Sequence, residues 1–540
     1  MKNRSRKNLL PVLLVALASC AEMPPPVPPA PDPPPEGGAA ADKKSPAAAS
    51  AEDPAFRKAP PPSSGEVAFI PPNIQEARLS NGVRILLVER HDMPIVAVNI
   101  VSDRGAEVQG TPGLAGMTAA MLLAGTKTRS ALALSDQLGA IGAAYGSYAD
   151  HDGMGVSGQA LRDKANALME ILADVVQNPA FDAAELERER SRRLTAIVQQ
   201  NDVPAVLLAN AVTEKLYPAG HAYREPLIGN EASVKAMKPA DLARFHASAM
   251  RPDRLTVAIA GDIDKASATA LVEKSFGAWK GKAGPASTPK DPAAIGKGEK
   301  RLLVVDRPRA TQSIVAVTAV GVPRKHPDYD AIQLMNTLLG GQFSSRLNLN
   351  LREKHAYTYG ARSSFDMRHG AGPFTAGGAI MTQATAPAIK EIFAEIERMR
   401  KEPPSADELS DAKANLVRQL PARFETAGDT ASTLAGLAVM DLPLDEFATR
   451  PARIAKVTAE DVRRVAEKYL RPEQMRVILV GDAEVVEKDL ATLGIGEAEI
   501  RRAPQKAKKE AEKPADKGAP PAGKGAPPAA KGAPPAAKGK

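Results

Sequence analysis

A near-copy of one segment, displaced by 220 residues, constrains this chain more than anything else in it. Lys238-Pro239-Ala240-Asp241-Leu242 leads into Met250-Arg251-Pro252-Asp253-Arg254-Leu255-Thr256-Val257-Ala258-Ile259-Ala260-Gly261-Asp262. With no gap in between, Thr458-Ala459-Glu460-Asp461-Val462 leads into Leu470-Arg471-Pro472-Glu473-Gln474-Met475-Arg476-Val477-Ile478-Leu479-Val480-Gly481-Asp482. Each copy reads as a helix with a capped start, a proline break and an apolar strand closing on Gly-Asp. The body of the chain is therefore internally duplicated.

The two halves open alike. Apolar runs at 83–88 and 95–100 begin the first, and runs at 302–306 and 313–317 begin the second. Helical spacing of apolar residues marks 161–176 and 386–401. Strands and helices without strict alternation predict the α+β class: two homologous α/β-sandwich domains, at 66–280 and 301–500, related by duplication. Each is long enough for a substantial core. The Lys/Gly/Pro-rich stretch 281–300 reads as their linker.

Outside the body the composition changes. Lys2, Arg4, Arg6 and Lys7 precede an apolar run from Leu9 to Ala18, too short to span a bilayer and suited to a signal peptide over residues 1–20. Its end, Leu17-Ala18-Ser19-Cys20, resembles a bacterial lipobox, in which the cysteine is acylated and becomes the new N-terminus. Cys20 is the sole cysteine, so no intrachain disulfide is possible. Two or three acyl chains anchor a protein stably. The expected location is the cell envelope, lipid-anchored and facing the periplasm, with Ala21 after the cysteine favouring the outer membrane. Residues 21–65, rich in Pro and Ala, predict an extended tether, and 501–540, with repeated Lys-Gly-Ala-Pro-Pro-Ala, a disordered tail. That tail holds eleven Lys/Arg against three acids, enough to account for the chain's formal charge of +8. The body is slightly acidic, which sets a nucleic-acid partner aside.

Chemistry enters at residues 113–126, Gly-Leu-Ala-Gly-Met-Thr-Ala-Ala-Met-Leu-Leu-Ala-Gly-Thr. This segment closely resembles the zinc helix of the insulinase/pitrilysin family, worded Gly-Leu-Ala-His-x-x-Glu-His-Met-Leu-Phe-x-Gly-Thr. That motif works because two histidines four apart share one helix face and grip zinc, while the glutamate activates the bound water. Gly116, Ala119 and Ala120 stand at those three places, and none can bind a metal or move a proton. The resemblance puts a third ligand, a glutamate, in the helix that here reads Glu185-Leu186-Glu187-Arg188-Glu189-Arg190 and runs to Ile197. Thr195 or Ala196 stands there instead. The seven histidines (His91, His151, His221, His246, His326, His355, His369) include no pair at three- or four-residue spacing. No metal site of this chain's own is expected.

The second half keeps a different motif. Gly340-Gly341-Gln342-Phe343-Ser344-Ser345-Arg346-Leu347 precedes Leu351-Arg352-Glu353-Lys354-His355-Ala356-Tyr357-Thr358-Tyr359-Gly360. It looks like the family's glycine turn followed by Ser-Ser-Arg-Leu and Leu-Arg-Glu-Lys-x-x-x-x-Tyr. The resemblance implies that Arg352 and Tyr359 hold a substrate backbone and stabilise the oxyanion at a zinc site on a facing domain. Arg346, Tyr357 and His355 read as structural. Some bacterial members of the family divide zinc and the Arg/Tyr pair between two chains. The chain is thus expected to be the non-zinc subunit of a heterodimeric periplasmic peptidase for extended or unfolded peptides, bound partly by β-strand addition. Zinc would reside on the partner subunit. The alternative is a catalytically inactive peptide-binding or structural scaffold lipoprotein of the same family.

Overall fold

The computed structural model describes residues 69–281 and 300–502. The signal peptide with Cys20, the 21–65 tether, nearly all of the linker and the tail beyond Arg502 lie outside the described residues. Two six-stranded mixed sheets organise the rest. The first contains β1 (Gln75–Arg78), β2 (Arg84–Glu89), β3 (Ile95–Ser102), β4 (Ala144–Ala149), β5 (Met154–Leu161) and β6 (Leu255–Gly261), in the order β1-β2-β6-β3-β5-β4. The second contains β7 (Leu302–Asp306), β8 (Gln312–Val320), β9 (Thr358–Phe365), β10 (Pro373–Met381), β11 (Arg476–Gly481) and β12 (Ala498–Arg501), in the order β12-β7-β11-β8-β10-β9. The sequence repeat falls on β6 and β11, which occupy the same place in their sheets. Each runs parallel to one neighbour, β2 or β7, and antiparallel to the other, β3 or β8. The repeated helices before them, Pro239–Ala249 and Ala459–Tyr469, both start with a residue whose N–H donates to an aspartate three positions on, Lys238 to Asp241 and Thr458 to Asp461, each at 3.0 Å.

The duplication is not perfect at the edges. β1 comes just before β2 and pairs with it antiparallel, whereas β12 returns from the end of the second half and pairs with β7 in parallel. At the opposite edges the halves agree, with β4 and β9 each the outermost strand of a hairpin. The helix expected from Leu161 begins later than its apolar spacing suggests. Leu161 is the last residue of β5, a short 3₁₀ turn covers Arg162–Lys164, and the α-helix starts at Ala165.

Alternate residues along the central strands serve two different cores. In the first sheet, Ile85, Leu87, Val98, Ile100, Val257 and Ile259 pack under helices of their own half, among them Ala165–Gln177 and Lys265–Phe276. The residues between them, Leu86, Val88, Ala97, Val101, Ala258 and Ala260, face a helix from the other half, Ala427–Val439, through Ala431, Leu434 and Ala435. The second sheet reciprocates. Leu303, Ala316 and Ile478 lie against the helix Pro204–Leu216 of the first half and the buried Tyr217 and Tyr223 that follow it. Both sheets are buried on both faces, which is why β6 and β11 read as continuous apolar runs rather than alternating ones.

This exchange makes one folding unit of two homologous halves. Leu434 is fully buried against the first sheet although its helix belongs to the second half. Leu434→Ala should cost about 2–5 kcal/mol. Chemical denaturation should show both halves losing that stability together in a single transition. Two separate transitions, with only the second half affected, would contradict the interlock.

Candidate functional site

The degenerate zinc helix, Leu114–Leu122, begins after Gly113, whose φ of 81° is left-handed and costs glycine nothing. A side chain there would also collide with the backbone of Ile228 and Gly229, so glycine lets the 226–230 loop pass directly under the helix start. Ala119 is buried in the first core, while Gly116 and Ala120 are partly exposed on the neighbouring face.

The space beside Gly116 is filled by Arg193. A Cβ on Gly116 would lie 3.0 Å from the Arg193 Nη1 and 3.0 Å from the Leu227 carbonyl oxygen. Arg193 comes from the helix Ala183–Gln200, capped by Asp182, whose carboxylate accepts from the Ala184 and Glu185 amides. Its guanidinium is buried and donates to the Ile228 carbonyl at 3.4 Å and to Glu189 Oε1 at 3.3 Å. A histidine at position 116 would need the space the guanidinium occupies, and a divalent cation would meet a fixed positive charge. Thr195 is exposed and turns its hydroxyl back to the Ser191 carbonyl. The residues present do not fit zinc.

The second half presents its motif on unusual backbone. Two π-helical segments, Thr337–Gly341 and Leu349–Lys354, flank the short helix Arg346–Asn348. Wide turns of this kind recur at functional positions. Gly340 lies against β9 so closely that a Cβ would sit 2.2 Å from the Ser363 amide nitrogen. Asn348 ties the same pieces together, donating to the Phe343 carbonyl at 2.7 Å and accepting from the Ala361 amide at 3.2 Å. Arg346 is buried and forms a two-bond fork with Glu408 at 2.9 Å each, and His355 stacks on Tyr357.

Arg352 rests over the Phe343 ring at 4.6 Å and pairs with Glu353 at 3.3 Å. The chain then turns through Ala356, a non-glycine residue at φ 53°, strain that something must repay. Tyr359 follows at a bulge in β9, the edge strand: Thr358 pairs with Ile380 and Ala361 with Gly378, leaving Tyr359 and Gly360 opposite Ala379 alone. The Thr358 hydroxyl fixes the bulge, donating to the Ala379 carbonyl at 2.6 Å and accepting from the Gly360 amide at 3.0 Å. Bulges re-aim side chains. Tyr359 is 91% exposed and its hydroxyl has no hydrogen-bond partner among the described residues. No hydrogen bond or ion pair among the described residues joins Arg352 or Tyr359 to the degenerate zinc helix.

A third cluster, one that sequence reasoning missed, lies where the halves meet. Ligand-type atoms of Glu107, Asp152 and His369 fall within 4.8 Å of one another. His369 Nε2 sits 2.6 Å from the Val439 carbonyl oxygen, which can only accept, so that nitrogen carries a proton. Nδ1 lies 2.7 Å from Glu107 Oε2, and the His369 amide donates to Asp152 Oδ1 at 3.1 Å. Tyr223 donates to the same Asp152 oxygen at 3.2 Å and accepts from the Gly370 amide at 2.9 Å. Burial opposes a charge on His369, but its hydrogen bond to Glu107 and the charges of Glu107 and Asp152 outweigh this and raise its pKa to about 9. Burial pushes Asp152 up to about 6, against the pull of His369. The cation held here is the imidazolium itself. His369 carried no motif that could have disclosed this, since its partners lie 262 and 217 residues away.

His369 therefore acts as a charged pin between the halves. Its folded pKa stands above the unfolded value, so its contribution is complete below about pH 6.5 and is lost as pH rises through about 9. Removing one partner of a buried pair costs about 3–5 kcal/mol. His369→Ala should lose that much at pH 7 in urea titrations, and the gap from wild type should shrink by pH 10. An equal gap at both pH values would show that charge is not what His369 supplies.

Comparison with known proteins agrees with this architecture. Two profiles of one family match in tandem, insulinase (peptidase family M16) over residues 84–229 and the peptidase M16 inactive domain over 236–416. An uncharacterized zinc protease of Mycobacterium bovis is 27% identical over 371 residues, covering 68% of this chain and 83% of its own length. Another, from Bacillus subtilis, is 24% identical over 400 residues, covering 73% and 94%. Among solved structures, a peptidase M16 inactive domain from Pseudomonas fluorescens superposes with a TM-score of 0.71 at 26% identity, over 76% of this chain and 98% of that one. The first half of the periplasmic protease PqqL from Escherichia coli shares the fold, with a TM-score of 0.65 at 17% identity over 79% and 96%.

Proposed function

The chain belongs to the insulinase family, peptidase family M16, and on that premise we propose that it is the non-zinc subunit of a two-chain peptidase acting on extended peptides. The reading rests chiefly on Tyr359. A phenol held outward by a bulge, on the outermost strand of its sheet and without a hydrogen-bond partner among the described residues, has no evident structural employment. Arg352, seven residues earlier, offers several donors from one guanidinium. Together they can accept the backbone of an extended peptide laid along the edge of the second sheet and meet negative charge as it develops on a carbonyl oxygen. Zinc and the base belong, in this proposal, to the partner subunit. Anchoring through Cys20 in the cell envelope, facing the periplasm, is part of the same proposal.

The rival is a wholly non-catalytic scaffold or peptide-binding protein of the same fold. Reconstitution with the cognate zinc-bearing subunit separates the two. Tyr359→Phe should lower turnover by about 100- to 1000-fold, the usual loss for one oxyanion donor, while leaving subunit association unchanged. Arg352→Ala should weaken peptide binding as well. Arg244, an exposed residue on the repeated helix of the first half, supplies the control, and Arg244→Ala should change neither. Full activity in Tyr359→Phe would sink the subunit reading and leave the scaffold.

A further inference from the structure

We propose that the degenerate zinc helix is a peptide-docking site in its own right, with Arg193 taking a substrate carbonyl or carboxylate oxygen where an active relative would use its metal. The inference rests on the reading of the chain as a peptide-handling subunit and assigns its first half a task. The starting point is the misfit of the motif. Losing the ligands would leave a void or a repacked apolar patch, yet the slot beside Gly116 holds a guanidinium, with Nη1 and Nη2 at 3.0 and 3.7 Å from where a Cβ would stand. Gly116 is what makes the room, since any larger residue would displace that group.

Arg193 is under-used where it stands. A guanidinium carries five N–H donors. The two hydrogen bonds that Arg193 makes among the described residues, at 3.4 and 3.3 Å, lie past the long end of the range. Its acidic neighbour is already taken, because Arg192 grips both Glu189 oxygens at 2.7 Å. A buried arginine with donors to spare is costly unless something completes its bonding. The slot is also reachable, as Gly116 and Ala120 on the helix beside it are partly exposed.

The surroundings indicate the kind of occupant. The helix Leu114–Leu122 packs beside β4, the outermost strand of the first sheet, which among the described residues is paired only to β5. The outer backbone groups of Ala144–Ala149 are therefore free to pair with an added strand. An extended peptide along β4 presents a carbonyl every other residue to the neighbouring helix. A guanidinium can hold such an oxygen by charge-assisted hydrogen bonds. It cannot act as a base, so the first half holds the peptide without cutting it. A mid-chain carbonyl and a terminal carboxylate offer the same chemistry.

Equilibrium binding to the full chain alone tests this and needs neither zinc nor a partner, so it can be read whatever becomes of the subunit proposal. The probe is a fluorescein-labelled unstructured peptide, prepared as the free acid and as the C-terminal amide, followed by anisotropy. Arg193→Met should weaken binding by about tenfold or more, as expected for losing hydrogen bonds from a charged group. Arg193→Lys should recover part of it. A drop on amidation assigns the site to a terminal carboxylate, and equal affinities assign it to a mid-chain carbonyl. Wild-type affinity in a folded Arg193→Met chain overturns the proposal. Should that variant not fold, a photo-crosslinking peptide on the wild-type chain decides: labelling within 114–122 and 144–149 supports the site, and labelling confined to the β9 edge overturns it.

Discussion

The exchange of one helix between the halves is the constraint on which the rest of the structure depends. A sheet with two apolar faces must cover both, and each half covers only one face of its own sheet with its own helices. The helix Ala427–Val439 closes the first sheet and Pro204–Leu216 closes the second. Neither half can complete its core without the other. The seam between them is closed further by polar contacts, from Tyr217 donating to the Ala371 carbonyl at 2.9 Å to the His369 pin against Glu107 and Asp152. Held this way, β4 and β9 are left as the outermost strands, with the helix Leu114–Leu122 packed beside the first and Tyr359 carried on the second.

Those two sites have diverged in opposite ways. In the second half the costly features remain: left-handed Ala356, two π-helical turns, and a bulge that puts a tyrosine into solvent. Strain of this kind persists where the surrounding structure over-determines it, and it gathers at sites with a task. In the first half, Gly116 stands at a ligand place of the motif that the helix resembles, and the room it leaves holds the Arg193 guanidinium.

Much of this was legible in the sequence. The 220-residue offset between repeats fixed the duplication, and β6 and β11 occupy matching places for that reason. The apolar runs at 302–306 and 313–317 became β7 and β8 with small changes at their ends. The helix exchange was not legible, because the apolar faces of 204–216 and 427–439 say that they must be buried but not against which sheet. Leu161 looked helical because its spacing fits the helix that follows, yet pairing with Ile95 holds it in β5. Arg193 could not be singled out among the four arginines and three glutamates of its helix, since its place depends on the space over Gly116. Arg352 and Tyr359 could be picked out by their wording, whereas the exposure of Tyr359 depends on a bulge that no local pattern announces.

The central claim is that this chain has no metal chemistry of its own and contributes the arginine–tyrosine part of an active site. Metal analysis of the purified full chain, loaded with zinc, desalted and then offered an unfolded peptide, tests it most directly. The account predicts sub-stoichiometric zinc and an intact peptide. One tightly held zinc per chain, with cleavage by the chain alone, would contradict it.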